Sequence, residues 1–396
     1  MSGTVGLRLL HATCDHGFEA ALADELVELG AHRVVAGHRG VAFEANREGL
    51  WRVTVGTRLA NRILMPIAEF PAPDRRSFHA GVQRVYWHRW FSVDDTFAVD
   101  ASAHRSAQDH TGFIAQVAKD AVCDRFRAEV GRRPSVDRDR PAVGINIHLD
   151  EDHCTVSLDA AGTRLHRRGW RSATGEAPLK ETLAAGMLRL IGWTPELPLV
   201  DPMCGAGTFL IEAGLIARNI APGLLRLASG PAPSRWAAPR AGEAEGFAFE
   251  RWADHDPVAF GHLVTELRDA IRPGTATLAG WDIDAGALAA ARTNARRAGV
   301  DVQWAIGGLE QATALAAEGV VITNPPYGQR LAADEALYRA LGDVLKQQFT
   351  GWTAWVFAAN EAPIKSIGLR PTRKIPLRNG PIECRLCRYA LYAGTG

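Results

Sequence analysis

No apolar run in this 396-residue chain approaches the roughly 18 residues needed to span a bilayer. Residues 1–8 lack the long apolar core of a secretory leader. A cytoplasmic protein is the default expectation, with no membrane partner. Six cysteines (Cys14, Cys123, Cys154, Cys204, Cys384 and Cys387) are too few to staple a chain this long. Cys384 and Cys387 form a lone CxxC without a second pair, so a tetrahedral zinc site lacks ligands. The histidines fall mostly in the first 160 residues and show no metal-ligand spacing. No metal is expected. Lysine is scarce, five residues against 40 arginines, and the net charge of +1 announces no global field for a polyanion.

The charge is nevertheless clustered. Residues 164–180 hold Arg164, Arg167, Arg168, Arg171 and Lys180 against Glu176, a local +4. Residues 361–388 hold seven Lys and Arg against Glu361 and Glu383, a local +5 that includes Arg373, Lys374 and Arg378. Two such patches suit phosphate contacts; a solvated face is the plain alternative. A hydrophobic content of 47% with 22% charged residues describes an ordinary globular protein, long enough for two or three domains.

Residues 7–70 read as strand, helix, hairpin, helix and strand, the β-α-β-β-α-β order of ferredoxin-like domains. Pro71-Ala72-Pro73-Asp74 marks a joint. Beyond it come a strand near 97–102, a long helix carrying Phe113, Val117, Val122 and Phe126, and a hairpin around 150–152. This half looks like a binding module. The four expected domains are a ferredoxin-like unit (1–70), a second binding unit (71–162), a basic hinge and linker helix (163–190) and a catalytic domain (191–396). In the last, apolar strands at 197–200, 277–281, 319–323 and 353–358 alternate with helices, which argues for a parallel sheet covered on both faces. Residues 219–256 are rich in Pro and Gly and read as an excursion from that sheet. Asn379-Gly380 signals a closing hairpin.

Three strand ends carry the chemistry. Val320-Val321-Ile322-Thr323 stops at Asn324, and Pro325 and Pro326 cannot continue a ladder. An amide oxygen, a proline carbonyl and the Tyr327 ring would stand at the carboxyl end of a strand, where open α/β sheets bind ligands. Two acceptors and a flat ring suit a planar, amine-bearing heterocycle. Asp201-Pro202-Met203-Cys204-Gly205-Ala206-Gly207-Thr208 follows another strand and opens a helix, with glycines that let a ligand approach the backbone. It is not a full GxGxxG and has no P-loop lysine, so a triphosphate is disfavoured. Asp282 ends a third strand and suits a ribose diol. It comes about 80 residues after the first loop instead of about 20, and the excursion supplies most of the difference.

With these residues the chain resembles class I S-adenosylmethionine-dependent RNA methyltransferases bearing a THUMP domain, most of all the guanine-N2 methyltransferases of large-subunit ribosomal RNA. The likeness runs along nearly the whole chain, including His166-Arg167-Arg168-Gly169-Trp170-Arg171, Leu179-Lys180-Glu181-Thr182 and Ala291-Arg292-Thr293-Asn294-Ala295. The resemblance implies a Rossmann-like methyltransferase domain, with a mostly parallel seven-stranded sheet and a C-terminal hairpin, behind an α+β ferredoxin-like/THUMP RNA-binding module. It implies S-adenosylmethionine as cofactor, held by Asp201, Pro202, Cys204, Gly205, Gly207, Thr208, Asp282, Ile283 and Asn324. Asn324, Pro325, Pro326 and Tyr327 would grip the target base, and the basic residues named above would contact RNA. The family usually places an Asp near 308 to accept from the adenine amine. Gly308 stands there instead, leaving Glu310 or a backbone group as substitutes. Some ribosomal enzymes of this type carry a second methyltransferase domain, and a single-headed protein could instead resemble the transfer-RNA branch. Ribosomal RNA is the favoured partner and transfer RNA the alternative. Two other classes compete: a DNA amino-methyltransferase, separated by exchanging RNA for DNA, and a non-catalytic RNA-binding assembly factor, separated by removing Asn324.

Overall fold

A computed structural model describes residues 6–392, apart from 107–108, 139–140, 172–178, 228–245 and 327–330. The chain forms two compact units. One comprises Met1–Cys14, Leu22–Leu165 and Arg226–Glu266; the other comprises Asp15–Ala21, His166–Leu225 and Leu267–Gly396.

The first unit begins with β1 (Arg8–Thr13), α1 (Glu19–Glu28), β2 (His32–Gly37), β3 (Gly40–Ala45), α2 (Arg47–Gly56) and β4 (Arg62–Pro71). Their order β2-β3-β1-β4, antiparallel throughout, is the ferredoxin-like arrangement read from the sequence. Then follow α3 (Arg75–Arg84), β5 (Thr96–His104), α4 (Thr111–Val130), β6 (Ser135–Val136), β7 (Val143–Asp150) and β8 (His153–Asp159). The α3 helix escapes a periodicity reading because its sequence is polar. A capping box between Asp74 and Ser77 starts it, directly after the prolines. β4 pairs with β1 on one side and β8 on the other, so one eight-stranded sheet runs through both halves of the unit.

The second unit contains α5 (Glu181–Leu190), β9 (Leu199–Asp201), α6 (Thr208–Ala217), the end of α7 (Pro257–Asp269), β10 (Leu278–Asp282) and α8 (Ala285–Ala298). It continues with β11 (Gln303–Ile306), β12 (Val320–Thr323), α9 (Leu331–Gln348), β13 (Thr353–Ala359), β14 (Arg373–Asn379) and β15 (Ile382–Ala390). The sheet order is β11-β10-β9-β12-β13-β15-β14, seven strands, with the first five parallel and the last two an antiparallel hairpin. Every residue of β9 and β12 is buried, as strands covered on both faces must be. Trp352, Phe349, Leu345, Tyr338, Val321 and Val356 are at the heart of the core on one side. β11 was not legible as a strand: Gln-Trp-Ala-Ile at a sheet edge offers neither an apolar run nor clean alternation.

Of the excursion, residues 219–225 stay with the second unit, residues 226–227 and 246–256 fold with the first, as does the chain on to Glu266, and residues 228–245 lie outside the described residues. Phe249, His255 and Phe260 close around Trp51, with ring centroids at 6.2, 5.2 and 5.5 Å. Arg226 donates to Thr163 Oγ1 at 2.7 Å and to the carbonyls of Ala161 and Gly246 at 3.2 and 3.1 Å. Arg52 meets Glu266 with two bonds of 2.8 and 2.7 Å, the fork geometry of a guanidinium on a carboxylate.

Candidate active site

The sheet order reverses between β9 and β12, with β10 and β11 on one side and β13 on the other. Open α/β sheets bind ligands at such a switch point, outside the carboxyl ends of the strands. Asp201, Asp282 and Asn324 stand at or just after the carboxyl ends of the three adjacent strands β9, β10 and β12.

The turn after β9 is shaped by its glycines. Gly205 and Gly207 have φ of 53° and 82°, and a Cβ on Gly207 would lie 2.6 Å from the Trp304 ring. The turn is tied down from three sides. Asp282 Oδ2 accepts the Gly205 N–H at 2.7 Å, the Cys204 N–H donates to the Trp281 carbonyl at 2.9 Å, and Asn294 Nδ2 donates to the Ala206 carbonyl at 3.3 Å. Asn294, fully buried on α8, belongs to the Ala-Arg-Thr-Asn-Ala stretch, which by itself points to no such task. The other oxygen of Asp282 accepts the Asp284 N–H at 2.9 Å, and a carboxylate so held still has lone pairs for a diol.

Burial pushes the Asp201 carboxyl up to about 7; the Asp282 charge adds to the rise, while the Thr323 hydroxyl and the Met203 N–H oppose it. Burial, with both carboxylates nearby, drives the Cys204 thiol far above its ordinary range. Cys204 is buried in the turn, where a thiolate is disfavoured, and it follows the buried Pro202. Ile283 and Ile306 are exposed apolar side chains beside the ends of β10 and β11, and Ile306 pairs in register with Asp282. Both are candidates for an apolar ledge against a flat ring. At Gly308, the space a Cβ would need is already taken by the Glu310 carboxylate, which folds back over the glycine.

After β12, Pro325 is buried and Pro326 exposed. Tyr327 lies outside the described residues. The side-chain oxygen of Asn324 is buried, and among the described residues no donor reaches it. Leaving an acceptor in that state costs about 1–3 kcal/mol, so it asks for a function. A glycine cradle, a carboxylate at a diol's reach of the turn, an apolar ledge and an unsatisfied acceptor together fit a nucleoside cofactor beside an amine-bearing substrate.

A family model described as an RMKL-like methyltransferase domain matches residues 168–388. The chain belongs to this family. Models of a THUMP domain and of an RlmL ferredoxin-like domain match residues 76–159 and 10–64. A Synechocystis protein, slr0064, provisionally described as an RNA methyltransferase, is 41% identical over 96% of this chain and 96% of its own length. The ribosomal RNA large subunit methyltransferase K/L of Syntrophotalea carbinolica is 42% identical over 96% of this chain and 53% of its own length. The chain thus spans about half the length of that relative. The crystal structure of SMU.472, provisionally called a methyltransferase and complexed with S-adenosylhomocysteine, superposes with a TM-score of 0.80 at 28% identity, covering 99% of both chains.

In this RMKL-like methyltransferase the basic hinge does not present all its charges to a ligand. Arg168 is 2% exposed, and its guanidinium faces the buried Glu212 at 3.5 Å. Arg171 stacks over Trp170 at 4.8 Å and bonds to Glu181, Leu179 and Thr208. Lys180 Nζ is held by Asp15 at 3.3 Å. The expectation that Arg168 and Arg171 contact RNA is corrected: both side chains turn inward, Arg168 onto Glu212 and Arg171 onto Glu181, Leu179 and Thr208, and Lys180 is engaged by Asp15. Arg164, Arg167, Arg373, Lys374 and Arg378 are exposed. Arg373 and Arg388 sit directly opposite each other in the terminal hairpin. Among the described residues no group of His, Cys, Asp and Glu could hold a metal ion, and no helix is long and apolar enough to cross a membrane.

Proposed function

We propose that this protein methylates the exocyclic N2 amine of a guanine in RNA, using S-adenosylmethionine, with large-subunit ribosomal RNA as the favoured substrate and transfer RNA as the alternative. The observation that carries the reading is the buried, unsatisfied Asn324 oxygen one strand away from the Asp201–Thr208 turn. The K/L name of the half-matching relative supports a ribosomal substrate for the corresponding half. The bound product in SMU.472 supports the cofactor.

When bound, S-adenosylmethionine supplies a methyl carbon activated by its sulfonium. The chain's residues do the rest. Asp201 offers a carboxylate to the donor's ammonium, Asp282 accepts from the ribose hydroxyls, and Ile283 with Ile306 flanks the adenine. Glu310, filling the place of the family's usual Asp, accepts from the adenine amine. The guanine amine is a poor nucleophile because its lone pair is delocalised into the ring. Asn324 Oδ1 and the Pro325 carbonyl accept hydrogen bonds from its two N–H groups and favour the pyramidal nitrogen that attacks, and the extra proton left on the methylated nitrogen departs to solvent. Fixing that nitrogen opposite the methyl carbon removes the entropic part of the barrier. A paired guanine must first leave its stack, and Tyr327 offers the ring that offsets part of that cost. Arg164, Arg167, Arg373, Lys374 and Arg378 hold the phosphates.

Incubation with methyl-labelled S-adenosylmethionine and, in separate arms, ribosomal RNA, transfer RNA and DNA tests the reading. Label in N2-methylguanosine of digested ribosomal RNA is the expected result. Label only in DNA bases, or none in any guanosine, overturns it.

A further inference from the structure

The basic hinge reaches the cofactor turn through one side chain. Arg171 Nε donates to Glu181 Oε1 at 2.8 Å, and Nη2 donates to the Leu179 carbonyl and to Thr208 Oγ1, both at 3.1 Å. The second oxygen of Glu181 faces His166 Nδ1 at 3.4 Å. His166, Glu181, Arg171 and Thr208 therefore form one chain of contacts ending on the first residue of α6, next to Gly207. Glu181 and Thr208 are buried, and Arg171 is only 12% exposed. Burial pushes the Glu181 carboxyl up, but the His166 bond, the charge and hydrogen bond of Arg171 and its own backbone N–H outweigh it and hold the group below its ordinary range.

A buried ion pair is a poor way to gain stability, since apolar residues of similar volume usually do as well. Its geometry is more informative. A guanidinium only donates, so the Thr208 oxygen must accept from Arg171. The single hydroxyl hydrogen of Thr208 is then left to donate elsewhere, at the positive end of a helix and beside a glycine turn. An anionic acceptor is what that donor and that helix end both suit. The methyl donor carries one, the carboxylate of its amino-acid tail.

We propose that Arg171, fixed by Glu181, is a positioning residue that orients the Thr208 hydroxyl as a donor to the carboxylate of the bound methyl donor. The proposal rests on the reading that this turn holds S-adenosylmethionine. The hinge would then set affinity for the donor through its amino-acid tail and leave the adenosine end untouched.

Calorimetric titration with two ligands tests this: S-adenosylhomocysteine, which has the tail, and methylthioadenosine, which lacks it. Arg171→Met and Thr208→Val should each weaken S-adenosylhomocysteine by about tenfold or more, as loss of a hydrogen bond to a charged group does. The double variant should be no weaker than either single one. Methylthioadenosine should bind all of them within about twofold of the wild type, an outcome that a general loss of folding would not give. Should Arg171→Met fail to fold, Glu181→Gln, which keeps the shape but loosens the guanidinium, gives the same ligand contrast at smaller size. Equal weakening of both ligands, unchanged binding of S-adenosylhomocysteine, or additive losses in the double variant would overturn the proposal. If the wild-type protein binds neither ligand, it is the cofactor reading that fails.

Discussion

Asp282 Oδ2 accepts the Gly205 N–H at 2.7 Å, so the carboxylate that ends one strand holds the glycine turn that follows its neighbour. A group with two tasks has a recognisable signature on removal. Asp282→Ala leaves the turn without its tether and, in the proposed cofactor site, the ribose without its acceptor. Affinity for S-adenosylhomocysteine should fall by about ten- to a hundredfold, the range expected for charge-assisted hydrogen bonds. The ligand-free protein should also melt at a lower temperature, measured by differential scanning calorimetry. An unchanged melting temperature would mean that the turn does not depend on Asp282.

Asp201 gives the site a pH dependence whose sign is fixed. Its carboxyl is raised to about 7 by burial, above its ordinary value near 3.8. A raised acid contributes stability that is fully present below its unfolded value and is lost as pH rises through about 7. The ligand-free protein should therefore lose melting temperature from about pH 4 to about pH 7 and level off above that. An ammonium-bearing ligand prefers the ionised carboxylate, so affinity for S-adenosylhomocysteine should rise about tenfold between pH 6 and pH 8. Asp201→Asn should flatten both curves.

Much of this site was legible because strand ends announce themselves. A buried strand must be apolar, so Asp201, Asp282 and Asn324 at the limits of apolar runs stand out by contrast. The two proline stops and the glycine turn add their own restrictions. Charge was the poorer guide. Arg168 and Arg373 are alike as letters in two basic clusters, yet one faces Glu212 in the interior and the other is exposed on a hairpin. Nothing within residues 164–171 shows that a glutamate 44 positions further on, in the middle of an apolar helix, awaits that arginine. The same limit hid Asn294, whose partner is a backbone carbonyl with no sequence signature.

The distinction between those arginines is measurable. Arg168→Met removes the guanidinium that faces the buried Glu212 carboxylate and should destabilise the protein by about 3–5 kcal/mol in urea unfolding. Its effect on the salt dependence of RNA binding should be nil, because the side chain reaches no solvent.

Arg373 and Arg388 should behave in the opposite way. Like charges directly opposite on paired strands repel, and a bound polyanion relieves that cost. Replacing both by Gln should leave the unliganded fold as stable or slightly more so. RNA binding should weaken, and the slope of log K against log salt should flatten by roughly 1.4 to 1.8, the release expected for two phosphate contacts. Filter binding over a salt series reads this directly, and an unaltered slope would remove the hairpin from the RNA surface.

The unsatisfied Asn324 oxygen allows the sharpest separation of chemistry from binding. In the proposed reaction, Asn324→Ala removes an acceptor that matters only when the target amine is present and pyramidalising. Loss of one preorganised polar contact to a transition state lowers turnover by about a hundred- to a thousandfold. Affinity for S-adenosylhomocysteine should stay within about twofold, since Asp201, Asp282 and the glycine turn are intact. Asn324→Asp restores an acceptor oxygen in the same place but as a buried acid, whose charged form is disfavoured by desolvation. It should recover part of the lost rate, and do so more fully as pH rises and the carboxylate ionises. Single-turnover methylation under saturating cofactor measures the step without product release. Equal rates for the Ala and Asp variants would mean that the oxygen of Asn324 is not what holds the amine.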